Sequence, residues 1–346
     1  MRIIMGFLAL SLALWLAGCA PAAAPQALPV ASKLYVVNED SDSISVVDTA
    51  TSLVVATLQP GRRPQGIATS PDGKSLFVTL GDENQVAVLD TTTNKIAATM
   101  AAGKDPQAIA VTGDGRRAYV TNYESNDVTV LDLESRKPLA AIQVGTNPQA
   151  IAVSANGAMV YAVNLRSNSV TAIDSATGKV KSTLPAGEGP YGIALTADGK
   201  YAYVGGHGSA GGMSGMKGMD GTGNKEAMQK AGPNKDVRVI DLEAKQIAAT
   251  ITCGVMPVAI ALAADGKAYV VNHGSNEVSV VDTASRKVVA TIPVGKNPYG
   301  VVISKDGRHV YVSNRDSNEV SVIDSNSLKV VAGIPVGQGP RGLALK

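Results

Sequence analysis

From Lys33 onward the chain runs as short apolar segments separated by small polar turns. One stretch shows the pattern. Gln107-Ala-Ile-Ala-Val-Thr112 leads into the turn Gly113-Asp114-Gly115, and Arg117-Ala-Tyr-Val-Thr-Asn122 follows. Glu124-Ser-Asn-Asp127 then turns into Val128-Thr-Val-Leu-Asp132, and Leu139-Ala-Ala-Ile-Gln-Val144 completes the unit. Alternation at a period of two, rich in β-branched residues and bounded by Gly, Asn and Asp, predicts four antiparallel strands. Asp-Gly and Ser-Asn pairs suit the tight turns because these residues tolerate left-handed backbone angles. Asp-Gly recurs at 72, 114, 198, 265 and 306, with Asn156-Gly157 as its variant.

The unit returns seven times, closing at Asp48, Asp90, Asp132, Asp174, Asp241, Asp282 and Asp324, with spacings of 42, 42, 42, 67, 41 and 42. A period of this size built from short strands predicts an all-β, seven-bladed β-propeller of four-stranded antiparallel blades, since one such sheet cannot bury its faces alone. Gly or Ala opens each first strand (Gly66, Ala108, Ala150, Gly192, Ala259, Gly300, Gly342), as a crowded axis requires. The first unit begins at its second strand, Lys33-Leu-Tyr-Val-Val-Asn38, whereas Pro340-Arg-Gly-Leu-Ala-Leu-Lys346 is a first strand with nothing after it. One sheet therefore takes three strands from the beginning and one from the end, which closes the ring and removes a free edge.

The strings YVVN (35–38), YVTN (119–122), YAVN (161–164), YVVN (269–272) and YVSN (311–314) resemble the YVTN-repeat family of bacterial and archaeal β-propellers. Blades two and five depart, with Phe77-Val-Thr-Leu80 and Tyr203-Val-Gly-Gly206. The resemblance covers the whole repeat region and implies the fold. It implies little about activity: family members are mostly exported proteins without an established reaction, and related propellers include lactonases and haem d1 or quinoprotein dehydrogenase subunits. Fold alone does not choose among these.

Residues 1–18 read as an export signal, with one positive charge at Arg2 and an apolar run shorter than the ~20 residues that span a bilayer. Leu16-Ala17-Gly18-Cys19 resembles a bacterial lipobox, which implies lipidation of Cys19 and attachment to a membrane; Ala20 after it resembles an outer-membrane sorting signal. Cleavage nearby without lipidation is the alternative. Residues 19–32 are Ala- and Pro-rich and suit a tether, leaving 33–346 for the propeller. With Cys19 lipidated, Cys253 has no partner for an intrachain disulfide. The formal net charge of +2 offers no basic face for nucleic acid. A monomer is expected, with an envelope protein as a candidate partner.

A repeat is its own control: residues present in every blade serve geometry, and departures are free to serve something else. The seven closing aspartates therefore read as turn builders rather than a carboxylate ring. The seven G-x-x-P segments, such as Gly145-Thr-Asn-Pro148, read as connectors, because no helix follows them to cradle a phosphate. The largest departure is an insertion of 25 residues in blade five, within about 207–236, carrying Met213, Met216 and Met219 as M-x-x-M-x-x-M. Thioethers are soft ligands suited to Cu(I). His207 and His273 occupy matching positions in blades five and six, Cys253 replaces the usual connector Val, and Met256 follows it. All seven fall on one propeller face and make a soft-metal set, with copper as the expected ion. The same residues also fit a ligand-free surface loop, a turn histidine and a small buried thiol.

A second candidate lies at the mouth of the axial channel. Each first strand opens Pro-x-Gly/Ala, and x runs Gln65, Gln107, Gln149, Tyr191, Val258, Tyr299 and Arg341 around the ring. Three amides, two phenols and a guanidinium suit a polar or anionic small ligand; as plain connector side chains they would face solvent. Catalytic equipment is sparse. Only three histidines occur, no triad follows from spacing, and C-x-x-C-H for covalent haem is missing from the sequence. The expected function is a lipid-anchored envelope propeller that binds or scaffolds, handling a soft metal. The alternatives are a protein-interaction platform without cofactor, then a lactonase-like hydrolase or a haem-binding propeller.

Overall fold

A computed structural model describes residues 32–208 and 233–346. It contains seven four-stranded sheets. The first pairs Pro340–Leu345 with Lys33–Asn38, followed by Ser43–Asp48 and Leu53–Leu58, so the two chain ends share blade one as expected. Blades two to seven follow in chain order, each running from an inner first strand to an outer fourth. Apart from two three-residue 3-10 turns, Glu39–Ser41 and Arg315–Ser317, the described residues form no helix.

The motif Tyr-Val-x-Asn has a physical reading that the sequence pattern did not supply. In two blades the Tyr at its first position bonds across to the next blade. Tyr119 of blade three donates to the Ser175 carbonyl of blade four at 3.3 Å, and Tyr203 of blade five to the Thr283 carbonyl of blade six at 3.4 Å. Where blade two carries Phe77 instead, blade three answers with Leu133, and the two share an apolar cluster. The side-chain cores lie in these seams between sheets rather than along the axis: Phe77, Val86 and Val88 pack on Ile109, Val120 and Leu131, and Tyr119, Val128 and Val130 on Val160 and Ile173.

The Asn of the motif lies fully buried and reaches the third strand of its own blade. Asn122 donates to Thr129 Oγ1 at 2.8 Å, Asn164 to Thr171 Oγ1 at 2.8 Å, Asn272 to Ser279 Oγ at 2.8 Å and Asn314 to Ser321 Oγ at 2.8 Å. The same amide fills the space where the connector glycine would carry a Cβ; at Gly145 that atom would lie 2.7 Å from the Asn164 amide. Blade two exchanges both partners together, Leu80 standing over Ala87 within one cluster. In blade two the departures from the motif are thus paired replacements. The closing aspartates cap their own turns as expected: Asp90 accepts from the Thr92 and Thr93 amides at 2.7 and 2.9 Å, and Asp132 from the Ser135 amide at 2.6 Å.

Candidate functional site at the axial mouth

Every first strand is bulged immediately after its proline. The register to the second strand shifts between Pro148 and Ala150, between Pro190 and Gly192, and correspondingly in the other blades. A bulge re-aims the extra residue out of the ladder, and that residue is x of Pro-x-Gly/Ala. These side chains are not solvent-facing connectors. Gln65, Gln107, Gln149, Tyr191, Val258 and Arg341 are all buried, Arg341 with 6% exposure. The approach of neighbouring strands is close enough to demand glycine in places: a Cβ on Gly300 would lie 2.3 Å from the Arg341 carbonyl.

A second ring of side chains comes from the residue after each second strand. In blade order it reads Glu39, Gly81, Tyr123, Leu165, His207, His273 and Arg315. The two rings meet on the side of blades five, six, seven and one. Arg341 donates to Glu39 Oε1 at 2.9 Å, Gln65 Oε1 at 2.6 Å, Tyr191 Oη at 3.4 Å and Tyr299 Oη. Its guanidinium also lies 4.5 Å from the Tyr299 ring centroid. Arg315 takes the other Glu39 oxygen at 2.5 Å and both oxygens of Asp40 at 2.8 and 3.0 Å. Burial pushes the Glu39 carboxyl up, but Arg341 and Arg315 outweigh it and leave Glu39 ionised below its ordinary range. Burial disfavours the Arg341 cation, yet Glu39 overrides this and holds its pKa well above the ordinary value.

The aromatic wall closes on itself. His207 stacks on Tyr191 at 4.2 Å between centroids and 15° between planes, and lies 6.3 Å from His273. His273 meets Tyr299 edge-on at 6.0 Å, and Tyr299 meets Tyr191 at 5.9 Å, their hydroxyls bonded to each other. Burial, with the nearby His273 and Arg341, pushes the His207 pKa down to about 3, so its imidazole is neutral. Burial likewise lowers that of His273. His273 Nδ1 faces the Pro298 carbonyl at 3.2 Å. A carbonyl only accepts, so the proton sits on Nδ1 and Nε2 keeps its lone pair. His207 Nε2 is buried and has no hydrogen-bond partner among the described residues.

The other half of the mouth is an amide arc. Gln149 donates to Gln107 Oε1 at 3.0 Å, Gln107 to Asp105 Oδ1 at 2.8 Å, and Gln65 to the same oxygen at 3.2 Å. Arg63 also reaches Asp105, at 2.5 Å. Burial raises the Asp105 pKa against the pull of Arg63.

The expected soft-metal set divides. His207 and His273 come together, but as part of the mouth. Met256 sits in the adjoining connector at φ +56°, its carbonyl accepting from the His273 amide at 2.9 Å. Cys253 belongs instead to the packing between blades five and six, where burial pushes its thiol up to about 12 and keeps it protonated. Met213, Met216, Met219 and Cys19 lie outside the described residues. Among the described residues no group of three or more His, Cys, Asp or Glu side chains is arranged to hold a metal ion. The sequence reading missed Glu39, Arg315 and Asp105. Stepping the repeat from His207 through the other blades would have found the first two, since they occupy its place in the ring.

These features define a seven-bladed propeller whose axial mouth is charged and imidazole-bearing on one side and amide-lined on the other. The YNCE-like beta-propeller family matches residues 2–213, more than half of the chain, and the protein belongs to that family. The Cytochrome D1 heme domain matches residues 228–341, a span that carries His273, Tyr299, Arg315 and Arg341. No protein of curated function matches. Among solved structures, hydrazine synthase of Kuenenia stuttgartiensis is similar at TM-score 0.75 and 22% identity, over 89% of this chain and 99% of that one. A functionally unknown protein from Desulfotomaculum acetoxidans aligns at TM-score 0.74 and 17% identity, covering 90% of this chain and 98% of that one. The dihydro-heme d1 dehydrogenase NirN, in complex with DHE, aligns at TM-score 0.63 and 16% identity, covering 94% and 77%. Likeness at these identities speaks for the fold.

Proposed function

We propose that the axial mouth binds a haem-type tetrapyrrole. One observation carries this reading: His207 presents a neutral imidazole whose Nε2 is buried at the mouth without a partner among the described residues. An orphaned buried nitrogen is a standing penalty unless something takes it up, and neutral imidazole is a common ligand of haem iron. Arg341 and Arg315 supply fixed guanidinium groups for the carboxylates that such macrocycles carry. Tyr191 and Tyr299 add aromatic faces. The match of residues 228–341 to the Cytochrome D1 heme domain supports the same reading. When bound, the group would supply one-electron or ligand-binding chemistry at iron. The chain's own part is to hold His207 against Tyr191, keep His273 neutral, and fix two cations beside them.

The N-terminal signal and the Leu16-Ala17-Gly18-Cys19 string support placing this binding module in the cell envelope, anchored through lipid on Cys19. Titration of the purified chain with haemin tests the binding. The expected result is a saturable shift of the Soret band in the wild type. That shift should be lost in His207→Ala and kept in Cys253→Ala. A wild-type chain with no Soret change would leave the mouth a packed plug and overturn the reading.

A further inference from the structure

The cation at the centre of the mouth is carried by the strand that closes the ring. Arg341 lies on Pro340–Leu345, the C-terminal strand paired with Lys33–Asn38. Its partners come from four blades: Glu39 of blade one, Gln65 of blade two, Tyr191 of blade five and Tyr299 of blade seven. Glu39 itself stands at the end of the N-terminal strand, and its amide donates to the Gly339 carbonyl at 3.0 Å. Arg315 ties the other Glu39 oxygen to blade seven. At the far end of the same seam the contacts carry no buried charge: Leu343 and Leu345 pack with Leu34 and Val36, the Lys346 amide donates to the Lys33 carbonyl, and Lys346 Nζ reaches Thr91. Each of the other blades is continuous in sequence from its first strand to its fourth. Blade one alone is held by non-covalent contacts between chain ends, so it is the place where the ring opens at least expense.

We infer that the Glu39–Arg341–Arg315 cluster is a clasp on this seam, and that whatever occupies the mouth is read out as ring closure. A ligand carboxylate bonded to Arg341 engages the closing strand directly, so occupancy protects blade one beyond the general stabilisation that any ligand gives. Conversely, loosening the seam frees Arg341 and weakens the mouth. The clasp is argued from the ligand-free contacts; only the sign of its response to ligand rests on the tetrapyrrole reading.

Peptide-resolved hydrogen exchange on the full chain tests it in two arms. In the ligand-free arm, Glu39→Gln should speed exchange in Pro340–Leu345 and Lys33–Asn38 by about tenfold, the scale of one lost charge-assisted hydrogen bond. Met159–Asn164 of blade four should stay unchanged. Tyr299→Phe, which removes that hydroxyl's bonds to Arg341 and to Tyr191, should act in the same places but less, and stands in should Glu39→Gln not fold. In the second arm, haemin should slow exchange in the seam strands more than in blade four. Variants that speed all blades equally, or none, overturn the clasp. Equal protection of every blade by bound haemin overturns its link to the mouth. Should haemin not bind at all, the tetrapyrrole reading fails, and the ligand-free arm still decides the clasp.

Discussion

The two halves of the mouth are built on the same bulged strand and the same turn, yet their chemistry diverges. On blades two to four the bulge residues are Gln65, Gln107 and Gln149, which satisfy one another through Asp105. On blades five to seven and one the corresponding residues are Tyr191, Val258, Tyr299 and Arg341, and the second ring above them brings two neutral imidazoles, Glu39 and Arg315. The amide half uses most of its hydrogen bonds internally, with Gln65 Oε1 accepting from Arg341 as the link to the other half. The aromatic half leaves a buried nitrogen without a partner among the described residues and concentrates its charge on one carboxylate. On this uniform scaffold, the proposed ligand would take the less satisfied side.

The sharpest way to break this contrast is Arg341→Ala. It leaves Glu39 buried with one cation fewer, and stability should fall by about 3–5 kcal/mol, measured as the midpoint of urea unfolding, with haemin binding lost. Next in size is Gly192→Ala on the aromatic side, where a Cβ would stand 2.1 Å from the Val258 carbonyl. Backbone cannot swing aside as a side chain can, so a loss of roughly 2–3 kcal/mol is expected. Ala150 fills the same position on the amide side, so Ala150→Gly should cost under about 1 kcal/mol. Acid titration separates the halves again. The folded pKa of His207, about 3, lies below its unfolded value of 6.5. The unfolded chain therefore takes up the proton first, and stability is lost as pH falls from about 6.5 towards 3. His207→Phe should reduce that limb of a pH–stability curve, leaving the share due to His273, whose pKa burial also lowers, and the fall due to Glu39, also depressed, at its acid end. The smallest effect belongs to the amide arc: Gln149→Ala should change stability by about 1 kcal/mol and leave haemin affinity unchanged. Equal losses of haemin binding from Gln149→Ala and Tyr191→Phe would erase the distinction between halves.

The architecture was legible because a period near 42 residues and alternating apolar positions each dictate it independently, down to the shared first blade. The mouth was legible only in part. Pro-x-Gly/Ala marks its lower ring in every blade, but nothing in that string says that a bulge turns x inward; that is decided by pairing with the second strand. Glu39 and Arg315 were passed over because exposed-looking charges in turns usually are solvated, and their meeting across blades one and seven depends on how the ring closes. The methionine-rich insertion is the largest departure from the repeat in length. Its methionines lie outside the described residues, and what the structure does bring together are the two histidines beside it and the tyrosines of the neighbouring connectors.

The paired replacements at the seams bear on how such a molecule could be rearranged. Tyr119 needs an acceptor at Ser175 and Tyr203 one at Thr283, whereas Phe77 is matched to Leu133. The matching is not general: Tyr161 of blade four packs in one cluster with Leu242 of blade five. The acceptors opposite Tyr119 and Tyr203 are backbone carbonyls, which a unit of any sequence supplies, so a Tyr-bearing blade tolerates a new neighbour better than the side-chain fit of Phe77 on Leu133 does. Exchanging blade two or blade three alone should therefore cost more than exchanging the pair together.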